Sequence, residues 1–247
     1  KSFDQRLSLI DDGLAIWPDD PYMLLMKGFT LTELGQINEA INVFRCGKSK
    51  YISDMRFTGN LGEELMYQGY YFSALEVLDQ YLCMSPGSAG YNLFVIHMCN
   101  VMVGNTDPVT KFCDLLEKTF GDKPGYISLI ATIHALRSLC FLNSNDLDKS
   151  LEYVNLAYEK DPASQLVAYA AGVVSLARES YIDAELYLRK AVDVQPRDMQ
   201  AREKLAMVLE KTGQLKEAEK IRATISGFFG SPDTDPDPVI RGVELLC

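Results

Sequence analysis

A 34-residue period constrains the fold of this chain more than any other feature. Glycine recurs from Gly28 to Gly62, and alanine recurs from Ala40 to Ala74, each 34 residues later. Three further pairs show the same 34-residue interval: Gly172 and Ala206, Ala184 and Ala218, and Pro162 and Pro196. A fixed period in this range is the signature of a stacked repeat array. It predicts an architecture suited to binding rather than to chemistry.

Each period predicts two amphipathic helices joined by a tight turn. Residues 22–34 are apolar at helical spacing, Gly35 breaks the pattern, and residues 37–48 form a second amphipathic segment. The next unit repeats this pattern from Met55, with its break at Gly69. Proline cannot continue a helix, so four prolines are expected to close second helices: Pro18, Pro86, Pro162 and Pro196.

Small residues occupy the eighth and twentieth positions of the unit, as at Gly28 and Ala40. We expect these two positions to face each other where the antiparallel helices cross, because small side chains let the backbones approach closely. Gly35, Gly69 and Gly213 occupy the turn, where a positive φ is accessible to glycine at little cost.

The pattern resembles the tetratricopeptide repeat (TPR), a helix–turn–helix unit of 34 residues. Four units carry the motif: Gly28-Gly35-Ala40-Phe44, Gly62-Gly69-Ala74-Leu78-Pro86, Gly172-Ala184-Leu188-Ala191-Pro196 and Ala206-Gly213-Ala218. A weaker unit ends in Ser150-Val154-Ala157-Pro162. The resemblance implies an all-α fold, a right-handed superhelical solenoid of TPR-like helical hairpins.

The predicted array covers residues 1–226 and is followed by an acidic, proline-rich tail at 227–247. Its units are a partial repeat at 1–20, then 21–54, 55–88, an irregular segment at 89–130, 131–164, 165–198 and 199–226.

The phase slips in the irregular segment. Gly62 and Gly172 are 110 residues apart, which exceeds three periods of 34 by 8. The segment predicts helices at about 90–103 and 109–120, and the next unit starts with a longer helix at about 124–142. Drift in a central repeat and a reshaped partner platform both account for the slip.

The charge excludes some classes of partner. Lys and Arg number 24 and Asp and Glu number 34, so the net charge is −10 and the isoelectric point is near 4.8. Nucleic acids and anionic membranes attract basic surfaces, so we expect neither as a partner. A partner that carries basic residues is compatible with this charge.

The sequence also bears on location. No uninterrupted apolar stretch is long enough to span a membrane, so we expect no direct membrane insertion. The chain opens in mid-repeat at a lysine, so we interpret it as a fragment of a cytoplasmic protein, with an upstream targeting signal left open.

The cysteines form no C-x-x-C pair, and most lie in apolar helical patterns. Free cysteine packs as a small apolar residue. We therefore expect buried, reduced thiols of an intracellular protein at Cys46, Cys83, Cys99, Cys113, Cys140 and Cys247.

The sequence predicts no catalytic site, no metal site and no cofactor, and hence no enzyme. His97 and Cys99 are two residues apart on a predicted helix and face away from each other. The only other histidine, His134, is not at a recognisable spacing from a nucleophile. Structural zinc requires four convergent ligands, and the chain has neither a Walker loop nor a dinucleotide-binding glycine motif. The Glu63-Glu64 pair is interpreted as a solvated helix face.

The resemblance implies a concave groove lined by the first helix of each unit. Its positions two, five, nine, twelve and thirteen are largely apolar here, while the Lys/Asn/Arg clamp of the chaperone-binding members is absent. Asn60 holds position six, where family members often bond a ligand backbone. The predicted partner-binding residues are Tyr22, Leu25, Phe29, Asn60, Met66, Tyr67, Tyr169 and Val173.

An uncovered apolar stripe on a monomer indicates a binding site. The groove is therefore predicted to hold a protein or peptide segment with apolar anchors. The alternative is that tight curvature or the tail buries these side chains within the protein itself.

The predicted function is a non-catalytic scaffold or adaptor, with a secretion-type chaperone as one form of it. A second hypothesis is a structural subunit of a larger complex that uses the convex face or the irregular repeat. A third is a regulatory module of a larger enzyme.

Overall fold

The computed structural model describes residues 2–84, 90–121, 123 and 125–225. These residues form thirteen α-helices and no strand. The first six helices are α1 Phe3–Ile16, α2 Pro21–Glu33, α3 Ile37–Lys50, α4 Met55–Tyr67, α5 Tyr71–Met84 and α6 Gly90–Met102. The remaining seven are α7 Thr106–Phe120, α8 Ile127–Asn143, α9 Leu147–Lys160, α10 Gln165–Ala177, α11 Tyr181–Val194, α12 Met199–Lys211 and α13 Leu215–Ile225.

The described helices fall into two compact units, and the division lies after Ile96, within α6. In the first unit α2 packs on α3 and α4 packs on α5, while α3 also contacts α4. In the second unit the hairpins are α8–α9, α10–α11 and α12–α13, and each second helix packs against the next first helix. The predicted all-α array of helical hairpins is confirmed.

The irregular segment follows the predicted helices with shifted starts. The helix expected at 109–120 begins at Thr106, because a proline such as Pro108 is tolerated in the first helical turn. The helix expected from about 124 begins at Ile127. The expected unit boundaries remain a prediction, and the predicted tail at 227–247 lies outside the described residues.

The side chain that packs most closely against the eighth position comes from position twenty-four. A Cβ on Gly28 would lie 2.3 Å from the ring of Phe44, the residue at position twenty-four. Gly62 meets Leu78 and Gly172 meets Leu188 in the same way, at 2.4 and 2.5 Å. The large side chain of the second helix therefore fills the space that glycine leaves.

The turn glycines behave as predicted. Gly35, Gly69 and Gly213 have φ of 75°, 83° and 79°. At the equivalent position of two other repeats, Asn145 and Glu179 adopt the same left-handed conformation with φ of 61° each.

The cysteine expectation is correct for three residues and wrong for one. Cys99, Cys113 and Cys140 are free and buried, and burial raises the pKa of their thiols to about 12, 12 and 11. Cys46 forms a disulfide. The sequence could not show this, because residue spacing does not reveal which thiols the fold brings together. Disulfides are typical of oxidising compartments, so this bond does not support the expected cytoplasmic location.

Within the described ranges, none of the helices has both the length and the apolar character needed to cross a membrane.

Candidate functional site

Two of the predicted groove residues present aromatic surface on α2. Tyr22 is 63% exposed and Phe29 is 41% exposed. They are seven residues apart, so they lie on one face of the helix, two turns from each other. The helix start is well defined, because Pro21 occupies the first turn and Asp20 Oδ1 accepts a hydrogen bond from the Met23 N–H at 2.8 Å.

Phe29 is held in place by the hairpin beneath it. Its ring packs edge-on against Phe44, with 5.8 Å between the ring centroids. Phe44 is fully buried between α2 and α3. Phe29 is therefore a partly exposed side chain on a rigid support, whereas Tyr22 is the more exposed of the two.

The other predicted residues of the first unit are less accessible. Leu25 and Tyr67 are buried, and Met66 is half-buried. The Asn60 amide donates to the backbone carbonyl of Arg56 on its own helix at 2.7 Å. One side of this amide is therefore already occupied within the helix.

A hydrogen bond from Thr32 joins α2 to α4 in the first unit. Thr32 Oγ1 donates to the Gly28 carbonyl at 3.2 Å and to Glu64 Oε1 at 3.3 Å. Glu64 is buried, so Glu63 and Glu64 do not form one solvated face as the sequence suggested. The i, i+1 spacing turns the two side chains in different directions, and the neighbouring helix covers Glu64.

The predicted groove residues of the second unit are buried. Tyr169 is only 3% exposed, and Val173 is also buried. The Tyr169 hydroxyl reaches Met102 Sδ at the end of α6, at 4.0 Å. Asn143 donates to the Val101 carbonyl of the same helix end at 2.6 Å. Burial raises the pKa of Tyr169, as expected for a hydroxyl removed from water.

The chain is similar to solved repeat structures over most of its length. A tetratricopeptide repeat protein from Parabacteroides merdae matches 98% of this chain and 90% of its own, with 10% identity and a TM-score of 0.61. A monomeric IFIT1 mutant solved with m7Gppp-AAAA matches 93% of this chain at 14% identity, with a TM-score of 0.56. The Cut9-Hcn1 hetero-tetramer of the APC/C matches 98% of this chain at 12% identity, with a TM-score of 0.57.

The chain has the tetratricopeptide-repeat fold. It spans 56% of the IFIT1 chain and 46% of the matched chain in Cut9-Hcn1, so the functions of those whole proteins are not transferred to it. The sequence matches no protein-family model and no curated protein.

In TPR terms, the first helices of the two units differ in what they expose. The α2 helix exposes Tyr22 and Phe29, whereas Tyr169 and Val173 on α10 belong to the core of their unit. The burial of these two residues agrees with the alternative that the fold covers its own apolar positions. A role of any of these residues in partner binding remains a prediction.

Sequence reasoning missed an apolar stripe on a second helix. On α11, Ile182 is 83% exposed, and Leu186 and Val194 are also exposed. Ile182 and Leu186 lie on the face opposite the buried Ala184 and Leu188. The sequence did contain a signal for this stripe, because Ile182 and Leu186 are large apolar residues spaced i and i+4 on the helix face opposite the core positions.

In the part of the chain that the structure describes, there is no group of three or more His, Cys, Asp or Glu side chains that could hold a metal ion.

Proposed function

We propose that this TPR chain is a non-catalytic scaffold or adaptor that binds a partner protein segment on α2 through Tyr22 and Phe29. The exposure of both aromatic side chains on one helix face is the observation that carries the proposal. Aromatic side chains supply much of the binding energy of protein interfaces when they become buried. Met66 and Asn60 contribute at the margin in this proposal, and Leu25 and Tyr67, which are buried, make no direct contact with the segment.

Preorganisation of the surface also supports the proposal. The cap at Asp20 orders the start of α2, and the contact with Phe44 restrains Phe29. A rigid surface loses little conformational entropy when a partner binds, and this favours affinity.

The charge of the chain indicates the chemistry of the segment. Glu33 is exposed at the end of α2, and the whole chain carries a net charge of −10. A segment with apolar anchors and basic flanks is complementary to this surface. The same charge argues against an RNA ligand like that of the IFIT1 structure.

Affinity capture with a matched pair of variants tests the proposal. The baits are the unaltered chain, Tyr22→Asp and Phe72→Asp, and the captured proteins are quantified by mass spectrometry. Phe72 is a suitable control because it is 64% exposed on α5, a second helix, against 63% for Tyr22. Both substitutions remove an exposed aromatic ring and add one negative charge.

The expected result is a partner that is retained by Phe72→Asp and lost with Tyr22→Asp. A synthetic segment of that partner should then bind the unaltered chain, with an affinity at least about tenfold weaker for Tyr22→Asp. Equal retention by both variants would rule out the α2 surface. Circular dichroism and gel filtration establish that each bait is folded.

The stripe on α11 favours a second candidate function, a structural subunit that makes a constitutive contact through its second helices. Ile182 and Leu186 are exposed one turn apart, which is unusual for a surface that only faces water. In this case the unaltered chain should associate with itself or with a constitutive partner. The Ile182→Asp substitution should abolish that association. Light scattering after gel filtration measures the self-association, and an unchanged mass and unchanged partners would exclude this contact.

A further inference from the structure

A polar cleft interrupts the packing of the second unit. It has a volume of about 480 Å³ and is formed by α7, α8 and the last residue of α9. Its polar lining consists of Asp114, Glu117, Lys118, His134, Arg137 and Lys160. This volume lies in the range of small-molecule sites in proteins.

The floor of the cleft is a stripe of α8. His134 and Arg137 are three residues apart and lie on one helix face. Arg137 holds the seventh position of its repeat, where three other repeats bury Leu61, Ala171 and Leu205, and the repeat at 21–54 has Lys27. A polar cluster therefore replaces an apolar contact at this point, which costs stability unless the polar groups are satisfied.

Arg137 is satisfied by two carboxylates of α7. Its two terminal nitrogens lie 2.6 Å from Asp114 Oδ1 and 2.6 Å from Glu117 Oε2. The guanidinium also lies over the Tyr153 ring, 5.7 Å from its centroid. The charge of Arg137 is thus balanced within the protein, and its donors are directed toward α7.

His134 is not satisfied. The residue is only 6% exposed, and its Nδ1 is buried with no hydrogen-bond partner among the described residues. A buried polar group in this state costs on the order of 1–3 kcal/mol. Burial lowers the pKa of His134. The positive charges of Arg137 and Lys160 lower this pKa further, whereas the negative charge of Glu117 raises it. The neutral imidazole has one donor and one acceptor nitrogen.

Two lysines complete the lining. Lys118 on α7 and Lys160 on α9 are exposed, and in the described ranges neither has a carboxylate within ion-pair distance. With Arg137 they place three positive charges in the cleft against the two carboxylates of Asp114 and Glu117. The cleft is therefore locally positive in a chain whose net charge is −10.

We propose that this cleft binds a small anionic molecule through a phosphate or carboxylate group. Lys118 and Lys160 pair with the anion, and His134 donates a hydrogen bond to it from the floor. Charge-assisted hydrogen bonds of this kind are among the strong ones in proteins. The site is independent of the α2 surface, so it stands or falls separately from the proposed partner binding.

Nuclear magnetic resonance of the histidine rings tests the site directly. The chain contains only two histidines, and the second, His97, stacks on Phe112 with 3.9 Å between the ring centroids. His97 does not line the cleft and is therefore an internal reference. The probes are inorganic phosphate, succinate and, as an uncharged control, glycerol, each titrated to millimolar concentration against the whole chain.

The expected result is that phosphate or succinate shifts the His134 signals and raises the pKa of His134, while His97 is unchanged. The two probes distinguish a phosphate from a carboxylate ligand. The Lys118→Ala/Lys160→Ala variant should weaken binding at least about tenfold. The control variant Lys211→Ala/Lys216→Ala removes the same charge from exposed positions elsewhere and should bind normally.

Either of two outcomes would overturn the site. One is the absence of any His134 shift with both anions. The other is equal weakening in the two double-lysine variants, which would indicate a general charge effect. All four lysines are exposed, so folding of the variants is expected and is verified by the His97 signal.

Discussion

Ser138 on α8 and Ser150 on α9 exchange hydrogen bonds where their helices cross. Ser138 Oγ donates to the Ser150 carbonyl at 2.8 Å, and Ser150 Oγ donates to the Ser138 carbonyl at 2.9 Å. Both residues are completely buried. They hold the eighth and twentieth positions of their repeat, where other repeats place glycine and alanine. This crossing is therefore held by paired polar bonds as well as by small side chains.

The two serine hydroxyls should contribute to stability in a coupled way, so that the losses from removing each one do not add. Ser138→Ala or Ser150→Ala each is expected to lower the free energy of unfolding by about 1 kcal/mol, because a buried hydrogen bond is lost. The double variant should cost less than the sum, since both partners are then apolar. Urea unfolding followed by circular dichroism measures the coupling. Ser128→Ala, at an exposed position of α8, is the control, and strict additivity would contradict the prediction.

A glycine at position 179 should stabilise the chain. Glu179 is exposed and has φ of 61°, a conformation that costs an ordinary residue about 1 kcal/mol and costs glycine little. Glu179→Gly is therefore expected to raise the free energy of unfolding by about 0.5–1 kcal/mol. Asn145→Gly should gain less, because asparagine tolerates this conformation better. A lower unfolding temperature for Glu179→Gly would refute the strain argument.

Asp198 should make stability fall as the pH rises through the mildly acidic range. This buried residue caps α12 by accepting a hydrogen bond from the Ala201 N–H at 3.0 Å. Its other carboxylate oxygen accepts a hydrogen bond from Gln165 Nε2 on α10 at 2.7 Å. Burial raises its pKa from 3.8 to about 6. Between these values the folded state holds a proton that the unfolded state has lost. The contribution of Asp198 therefore decreases from about pH 4 to pH 6, by on the order of 2–3 kcal/mol.

The matched variant for this test is Asp198→Asn. Asparagine retains capping ability but does not titrate, and other carboxylates titrate equally in both proteins. The difference in unfolding free energy between the two proteins, measured at several pH values, isolates Asp198. The difference should shift in favour of Asp198→Asn as the pH rises, and a constant difference would show that the carboxyl is not perturbed.

Tyr169 and Tyr22 should respond differently to truncation. Tyr169→Ala removes a buried ring and is expected to cost about 3–5 kcal/mol of unfolding free energy. Tyr22→Ala changes an exposed side chain and should stay within about 0.5 kcal/mol. Tyr169→Phe should cost little, because the hydrogen-bond contact of the hydroxyl among the described residues is a long one, to Met102 Sδ at 4.0 Å. Thermal unfolding of the three variants decides whether Tyr169 is core, and an unperturbed Tyr169→Ala would return it to the binding surface.

The repeat position of a groove residue predicts the helix on which it lies but not its exposure. The groove prediction named Tyr22 at position two and Tyr169 at position five as groove residues, and both lie on first helices as expected. Tyr22 is exposed, whereas Tyr169 is buried, as is Leu25 at position five of the first unit. The Tyr169 hydroxyl also contacts Met102 at the end of α6. That contact joins residues 67 apart in the chain, and the pattern of a single repeat contains no information about it.

The Ser138–Ser150 contact and the α7–α9 cleft also depend on contacts between helices that the pattern of a single repeat does not show. Ser150 was recognised in sequence as a repeat position, but the reciprocal bonds with Ser138 depend on the rotamers of two facing hydroxyls. The sequence predicted no site at His134 because this histidine is not at a recognisable spacing from a nucleophile. The structure places it beside Glu117, Arg137 and Lys160 from three helices.

The sequence by itself determined the class of fold, the order of the helices and the turn conformations. These features follow from local chemistry repeated every 34 residues: apolar periodicity, glycine at positive φ, and proline at helix ends. Only the tertiary structure decided which apolar side chains remain exposed and which polar side chains lie together in one cleft. Exposure depends on the neighbouring helix that covers a residue, and neighbouring helices meet through stacking that a single repeat does not encode.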